Sequence, residues 1–284
     1  MDTKKLFNFT VSDIPRPRWN VLDLINVVNK GSVPTYLFCD VDMTWAENLR
    51  AQLKEMGYRT TVTAILLKAI AVAQRSHPDS RTFRLPWGRL VTFRDIVAGF
   101  TIERYIGTQP TVFFGAIENA DAKPVLEIAR ELRAYGEAEI SEVPTLDIQH
   151  RFNNMPWLFR RLMLFLGNRY PWIRLKYQGA TFGVSTLGKY GIKMMIPPCV
   201  ATSIFGVGEV EERAVVRNGK IEIRPIMTLS LNFDHRVIDG APAARFLQEV
   251  RNLMEGGLED YLRSELASIS NSISIPSYDR AMST

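Results

Sequence analysis

The sequence predicts a single mixed α+β domain, and three observations carry that prediction. Apolar patterning gives the order strand, two helices, strands, helix, strands, helix. Asn218-Gly219, set between two strand-like runs, is a hairpin signal and so implies antiparallel neighbours. The alternation elsewhere is uneven and no internal repeat is visible, which argues against a doubly wound parallel sheet.

The elements follow in order. TYLFCDVDM (35–43) is rich in strand formers, and AENLRAQLKEMG (46–57) reads as an amphipathic helix with Thr44 as N-cap and Gly57 as terminator. TVTAILLKAIAVAQRSHP (61–78) is a helix so apolar that it has to be buried, and Pro78 ends it. VTFRDIVAGFTIER (91–104) and TVFFGAI (111–117) read as strands, and ADAKPVLEIARELRAYGE (120–137) as a helix with Pro124 in its first turn. ATFGVSTLG (180–188), VATSIFGVGEVEE (200–212), RAVVRNG (213–219) and KIEIRPIMTLSLNF (220–233) are strand-like. APAARFLQEVRNLMEG (241–256) closes the domain as a helix with Phe246, Leu247, Val250, Leu253 and Met254 on one face. Residues 1–256 thus form the domain, and the Ser-rich tail 257–284 is expected to be loose toward its end.

Composition narrows the function classes. A chain of 284 residues that is 46% hydrophobic can bury a sizeable core. The net charge is +5, but Lys and Arg are spread along the chain without an arginine-rich run or zinc-finger spacing, which argues against nucleic acid and leaves an anionic ligand or a lipid surface. Cys39 and Cys199 lie far apart and match no metal spacing, so a disulfide framework is not expected and the cytoplasm is the expected compartment. The stretch MDTKKLFNFTVSDIPRPRW has no signal-peptide core, and no apolar run reaches the ~20 residues of a membrane span.

LNFDHRVIDG (231–240) is the stretch with the most chemistry. Along MTLSLNFD, Leu229, Leu231 and Phe233 share one strand face, while Ser230, Asn232 and Asp234 share the other and lead to His235. Read alone, Asp239 is a helix N-cap, and Asp234 and Arg236 are solvated turn residues.

The wider stretch SLNFDHRVIDGAPAARFLQEVRNLME resembles the C-terminal signature of dihydrolipoyl acyltransferases, the core subunits of 2-oxoacid dehydrogenase complexes. More distantly it resembles chloramphenicol acetyltransferase, which shares the H-x-x-x-D-G pattern. TFGVSTLGKYGI (181–192), IPPCVATSIFGVGEV (196–210), VPTYLFCDVDMTWAENLRAQLK (33–54), TVTAILLKAIAVAQRSHPDS (61–80) and ENADAKPVLEIARELRAY (118–135) continue the likeness over most of residues 30–256. It implies a chloramphenicol acetyltransferase-like two-layer fold, with a mixed β-sheet packed by helices.

The resemblance also implies roles. A free thiol has a pKa near ~8.5 and a histidine one near ~6.5, so an imidazole can accept the thiol proton as attack on a thioester begins. His235 takes that role as general base. Ser185, in the Ser-x-Leu-Gly segment, becomes the oxyanion donor, whereas Thr186 beside it points to the opposite side of a strand. Asp239 completes the catalytic set by holding the loop through an ion pair with an arginine, Arg18 or Arg16, and a backbone carbonyl orients the imidazole. Arg236 supports the loop, and Asn232 touches substrate or a bound water. Cys199 reads as a buried, inert thiol, and His77 and His150 as surface residues.

The expected activity is that of a stand-alone acyltransferase with coenzyme A as acyl carrier, an acyl thioester donor and a small-molecule acceptor, and with no metal. No lipoylation context is present, since Asp121-Ala122-Lys123 sits on a helix, so a lipoyl arm would come in trans. The first alternative is therefore the catalytic core of a 2-oxoacid dehydrogenase acyltransferase served by a separate lipoyl or acyl carrier domain. The second is a non-catalytic scaffold or membrane-associated protein. The resemblance implies a homotrimer with the site between subunits. Two stretches depart from the family. GTQPTVFFGAIENA lacks the usual wording, and 141–179 is longer than the expected connector. Within the latter, 155–177 is apolar and arginine-rich, and Pro156 and Gly167-Asn168 bound a helix of about three turns. Its apolar side chains should be covered by protein, substrate or an anionic membrane surface, near the active-site entrance, where they would select a hydrophobic substrate.

Overall fold

The structure, a computed structural model, describes residues 14–15, 18–23, 25, 31–85, 88–170 and 180–272. Arg16, the segment 171–179 and the tail beyond 272 therefore lie outside the described residues. Strands β1 (Pro34–Asp42), β4 (Ala98–Ile106), β5 (Gln109–Ile117), β6 (Phe182–Thr186), β7 (Ser203–Arg217) and β8 (Lys220–Asp234) form one sheet in the order β1-β8-β7-β6-β4-β5. β6 runs parallel to both β4 and β7, and the remaining pairs are antiparallel, so the sheet is mixed as expected. The run 91–104 is not one strand. It splits into β3 (Leu90–Thr92), paired with β2 (Thr82–Arg84), and β4. Conversely, 200–212 and 213–219 belong to the single strand β7, which continues through an irregularity between Val207 and Val210. At the β7–β8 hairpin, Asn218 and Gly219 adopt φ of 50° and 77°, the left-handed pair that a two-residue turn requires.

The two faces of the sheet differ. Phe100, Val184, Phe205, Leu229, Leu231 and Phe233 line one face, buried with α3 (Val62–Ser76), α4 (Val125–Glu137) and α7 (Gly240–Asn252) in a common core. α3 is buried at every position from Ala64 to Gln74, as its all-round apolar sequence demands. Lys68 lies within that run, and its Nζ donates to the carbonyls of Asp121 (2.6 Å) and Lys123 (2.8 Å). His77 is not a plain surface residue: its Nε2 stands 2.6 Å from Glu249 Oε2 and ties the end of α3 to α7.

Several ends are fixed by residues other than those expected. α2 (Thr44–Glu55) starts on Asp42, whose Oδ1 accepts from the Thr44 N–H at 3.0 Å, so Thr44 is inside the helix rather than its cap. α4 begins at Val125, five residues later than its pattern suggests, and has no capping side chain of its own. Its cap comes from the tail. α8 (Glu259–Ser272) buries Leu262, and the Glu265 carboxylate accepts from the N–H groups of Val125 (3.1 Å) and Leu126 (3.2 Å). The described part of the tail is thus docked, because it neutralises a helix end that would otherwise stay open.

The long connector contains α5 (Pro144–Asn154) and α6 (Trp157–Arg169). Gln149 of α5 accepts from the Phe114 N–H at 2.9 Å and donates to the Phe114 carbonyl, which seals the edge of β5. On α6 the expected polarity is reversed. Arg160 turns inward, with Nε 3.1 Å from Asp23 Oδ2 of α1 (Trp19–Asp23), both side chains buried. Helical periodicity then turns Leu158, Leu162 and Phe165 outward, each more than half exposed.

The second face of the sheet is partly covered by backbone. Residues 192–197 cross β7 at Gly206 and Gly208, where a Cβ would collide with the carbonyls of Met195 and Lys193. Ser230 Oγ donates to the Met195 carbonyl (2.6 Å) and Asn232 Nδ2 to that of Pro197 (2.7 Å). We expect Gly208→Ala to destabilise the fold by ~1–3 kcal/mol through this clash. Gly240→Ala, where an added Cβ meets nothing within 4 Å, should stay within ~0.5 kcal/mol of the parent. Urea unfolding of both variants measures the difference, and equal midpoints would show that the crossing backbone is not held against the strand.

Candidate active site

β8 pairs with β1 up to Asp234, and the next N–H, that of His235, donates to the Val33 carbonyl at 2.9 Å. The strand therefore delivers His235 one residue beyond its last ladder pair. Asp234 is not a solvated turn residue, and Arg236, though exposed, is tied to it. The Asp234 carboxylate is buried and accepts from the Val33 N–H (3.2 Å), the Arg236 N–H (3.1 Å) and the Arg236 guanidinium, with Nη2 to Oδ2 at 2.5 Å. Burial alone would push this carboxyl up, but the hydrogen bonds and charge of Arg236, with the bond from Val33, outweigh it and hold it below the usual carboxylate range. A buried carboxylate, saturated by a partly exposed guanidinium, thus lies under the turn.

The His235 side chain is 42% exposed, and its ring centroid lies 5.7 Å from that of Phe233. Asp239 occupies the N-cap position of α7, but its side chain makes no capping bond and is 83% exposed. Its Oδ1 is 3.7 Å from His235 Nδ1, too far for a hydrogen bond. Among the described residues no ion pair joins Asp239 to Arg18, which is itself exposed, and no backbone carbonyl holds the imidazole. Asp239 thus has no ion pair with Arg18, and the other expected partner, Arg16, lies outside the described residues; the holding contacts seen among the described residues are those between the buried Asp234 and Arg236, close in sequence and complementary in charge.

Ser185 lies on β6, half-buried, with its Oγ 3.0 Å from Thr101 Oγ1 of β4. Thr101 was missed in the sequence. The parallel register Phe100↔Val184 places it opposite Ser185, and nothing in a single strand's pattern reveals a cross-strand neighbour. The row continues to Phe114 of β5 and, through its backbone, to Gln149 of α5. Thr186 is exposed and, by strand alternation, faces the other way. Asn232 does not reach substrate space in this chain. It is 1% exposed under residues 192–197, and its Oδ1 has no partner among the described residues. Burial pushes the Cys199 thiol up to about 12, so it is inert as expected.

Ser185 is level with Gly206 and Ser230 across the sheet, whereas His235 lies five positions beyond Ser230. Strand geometry separates their backbones by about 17 Å along β8 and about 10 Å across, or roughly 20 Å in all. One chain therefore presents an accessible imidazole and a hydroxyl, but not to the same carbonyl.

A family model for the 2-oxoacid dehydrogenases acyltransferase (catalytic domain) matches residues 22–142 and 174–261, which include His235 and Ser185. The chain is 45% identical over 80 residues (27% of its length and 20% of the relative's) to the dihydrolipoyllysine-residue succinyltransferase component of the 2-oxoglutarate dehydrogenase complex of Rickettsia typhi. It is 31% identical over 236 residues (80% and 47%) to the lipoamide acyltransferase component of the branched-chain alpha-keto acid dehydrogenase complex of Pseudomonas aeruginosa. It thus spans less than half the length of these two relatives. Its fold matches that of an Azotobacter vinelandii dihydrolipoamide acetyltransferase with a TM-score of 0.69 and 24% identity, over 92% of this chain and 97% of the other. That protein was investigated for the catalytic role of a serine, a histidine and an asparagine four positions after the histidine.

Arg236→Leu should leave the Asp234 carboxylate buried without its charge partner, costing ~1–3 kcal/mol at neutral pH. The sign with pH follows from the lowered pKa of Asp234. The pair's contribution is complete above the unfolded-state value of ~3.9 and is lost as pH falls through the lower folded value. Urea titrations of parent and variant at pH 7 and below pH 4 should converge at the acid end; a gap that persists there would mean that Arg236 stabilises by packing alone.

Proposed function

The chain belongs to the 2-oxoacid dehydrogenases acyltransferase (catalytic domain) family, and on that premise we propose that it moves an acyl group between the thiols of a dihydrolipoyl-lysine and coenzyme A. The stand-alone enzyme expected from the sequence gives way to the core of a 2-oxoacid dehydrogenase complex, because the matched relatives are components of such complexes. The observation that carries the reading is that the His235 turn and the Ser185 strand both fall inside the matched spans and both present their reactive atoms. The lipoyl group arrives on a domain outside these residues.

In the proposed reaction the imidazole of His235 takes the S–H proton of the attacking thiol as its sulfur bonds to the thioester carbonyl carbon. The carbonyl oxygen becomes an oxyanion and accepts from the Ser185 hydroxyl. Thr101 positions that hydroxyl through the 3.0 Å contact between the two hydroxyl oxygens, in which either can donate; the proposed reaction uses the arrangement in which Thr101 donates and the serine proton is free for the oxyanion. Collapse breaks the bond to the leaving sulfur, which recovers the proton from the imidazolium. The serine and histidine agree in type with those studied in the Azotobacter protein, whereas Asp239 stands where the spacing there gives asparagine.

The roughly 20 Å between the backbones of His235 and Ser185 supports a site shared between copies, and a homotrimer is the assembly proposed. Tyr36 and Phe38, on the same sheet face as Ser230 and Asn232, are large apolar side chains left exposed in the single chain. A neighbour over this face would also shield the half-exposed imidazole from water. His235→Ala should abolish transfer from acetyl-CoA to dihydrolipoamide in a folded protein, and Ser185→Ala should lower kcat by ~100-fold or more. Co-assembling the two inactive variants should restore part of the activity at mixed interfaces. Full activity in both single variants sinks the mechanism, and a light-scattering mass of one chain sinks the shared site.

The outward face of α6 favours one addition, contact with an anionic lipid surface. Trp157, Leu158, Phe159, Leu162 and Phe165 are exposed on a helix that, besides the inward Arg160, carries Arg161 and Arg169 and no acidic residue. Among the described residues no helix is long and apolar enough to cross a membrane, so the contact would be peripheral. The protein should float with phosphatidylglycerol vesicles and less with phosphatidylcholine, and Leu162→Ser/Phe165→Ser should stay behind while remaining folded. No flotation with either lipid removes this addition.

A further inference from the structure

Between α1, α5 and α6 lies a cavity of about 670 Å³ that the acyl-transfer chemistry does not use. Two of its walls, α5 and α6, fall in the gap between the matched spans 22–142 and 174–261, so the cavity is an addition to the shared catalytic domain. Trp19, Met155, Pro156 and Trp157 line it, and its accessible wall is mostly carbon. That volume and that lining are those of sites for small molecules with an apolar body. Filled only by water, such a wall forfeits the contacts that close packing gives.

The charges on the wall do not balance. Asp23 and Arg160 are buried and paired with each other, Nε to Oδ2 at 3.1 Å, so their charges cancel. Arg161 is left over. It is exposed on the same wall, and no carboxylate among the described residues pairs with it. Its guanidinium lies over the ring of Trp157, 5.7 Å from the centroid. α6 also starts at this wall with no capping side chain and no acidic residue in its first turn, so the positive end of the helix adds to the field of Arg161. An occupant therefore meets carbon over most of its surface and uncompensated positive charge at one place.

We propose that this cavity binds a carboxylate with an apolar body, the body against Trp19 and Trp157 and the carboxylate on the Arg161 guanidinium. A carboxylate matches the guanidinium in charge and in the spacing of its two oxygens. A neutral analogue keeps only the apolar contacts, and a cationic one is repelled. Fatty acids and aromatic acids share this chemistry. The site is separate from the outward face of α6, since Leu162 and Phe165 are not among its lining residues.

Decanoate is the probe, titrated into the full chain below its micellar concentration, with calorimetry and tryptophan fluorescence as readouts. Saturable binding is expected, with decanol and decyltrimethylammonium each at least about fivefold weaker, the scale of one solvent-screened ion pair. Arg161→Gln, at an exposed position, should weaken decanoate by a similar factor and leave decanol unchanged. Trp157→Ala, also exposed, should weaken both. Leu162→Ser/Phe165→Ser should bind decanoate as the parent does. Naphthoate, titrated alongside, separates an aromatic from an aliphatic body, and tighter binding of either acid supports the site. The proposal is overturned if neither acid saturates, or if decanol or the ammonium binds as tightly as decanoate. It is also overturned if a folded Arg161→Gln or Trp157→Ala binds decanoate as the parent does, or if the folded Leu162→Ser/Phe165→Ser loses it.

Discussion

The Asp234 carboxylate is the point on which the arrangement around His235 depends. It accepts from Val33, at the entrance to β1, and from the backbone and side chain of Arg236, at the exit of β8. One group thereby joins the start of one strand to the end of another and sets the direction in which His235 leaves the sheet. An exposed carboxylate could not do this, because water would compete for each lone pair; burial makes the bonds worth holding. Asp239, nearer to the imidazole in chemical intuition, lies almost free in solvent.

Much of this was legible in the sequence because burial writes itself into periodicity. The all-round apolar run of α3, the Asn218-Gly219 turn and the alternation of β8 each have one low-energy solution, and the fold adopts it. His235 and Ser185 were legible for another reason, the local wording shared with a known family. What escaped was relational. Thr101 meets Ser185 only through the register of β4 on β6. Glu265 caps α4 from 140 positions away. The polar face of β8 looked open because alternation says which way a side chain points, not what lies over it. The glycines at 206 and 208 were the sign that backbone would pass there, since only a residue without a Cβ admits so close an approach.

The α5–α6 hairpin is both a fastening and a departure. Through Gln149 it closes the free edge of β5, a protective role that any helix could fill. Through Arg160 it inverts its own polarity, burying a guanidinium and exposing aliphatic and aromatic side chains. Burying the apolar side instead would be the more stable arrangement for an isolated chain, so the outward face of α6 departs from that of an ordinary surface helix.

The hydrogen bond from Val33 to Asp234 spans 201 positions, and β1 has no ladder partner other than β8 in the described sheet. A chain made from its amino end therefore exposes β1 long before β8 exists. The strand that helps to hold the His235 turn has to wait, unpaired, through the synthesis of nearly the whole domain. Such long-range closure is slow, and a waiting edge is open to the wrong neighbour. The architecture that steadies His235 in the finished protein thus makes the pairing of β1 one of the last contacts the chain can form.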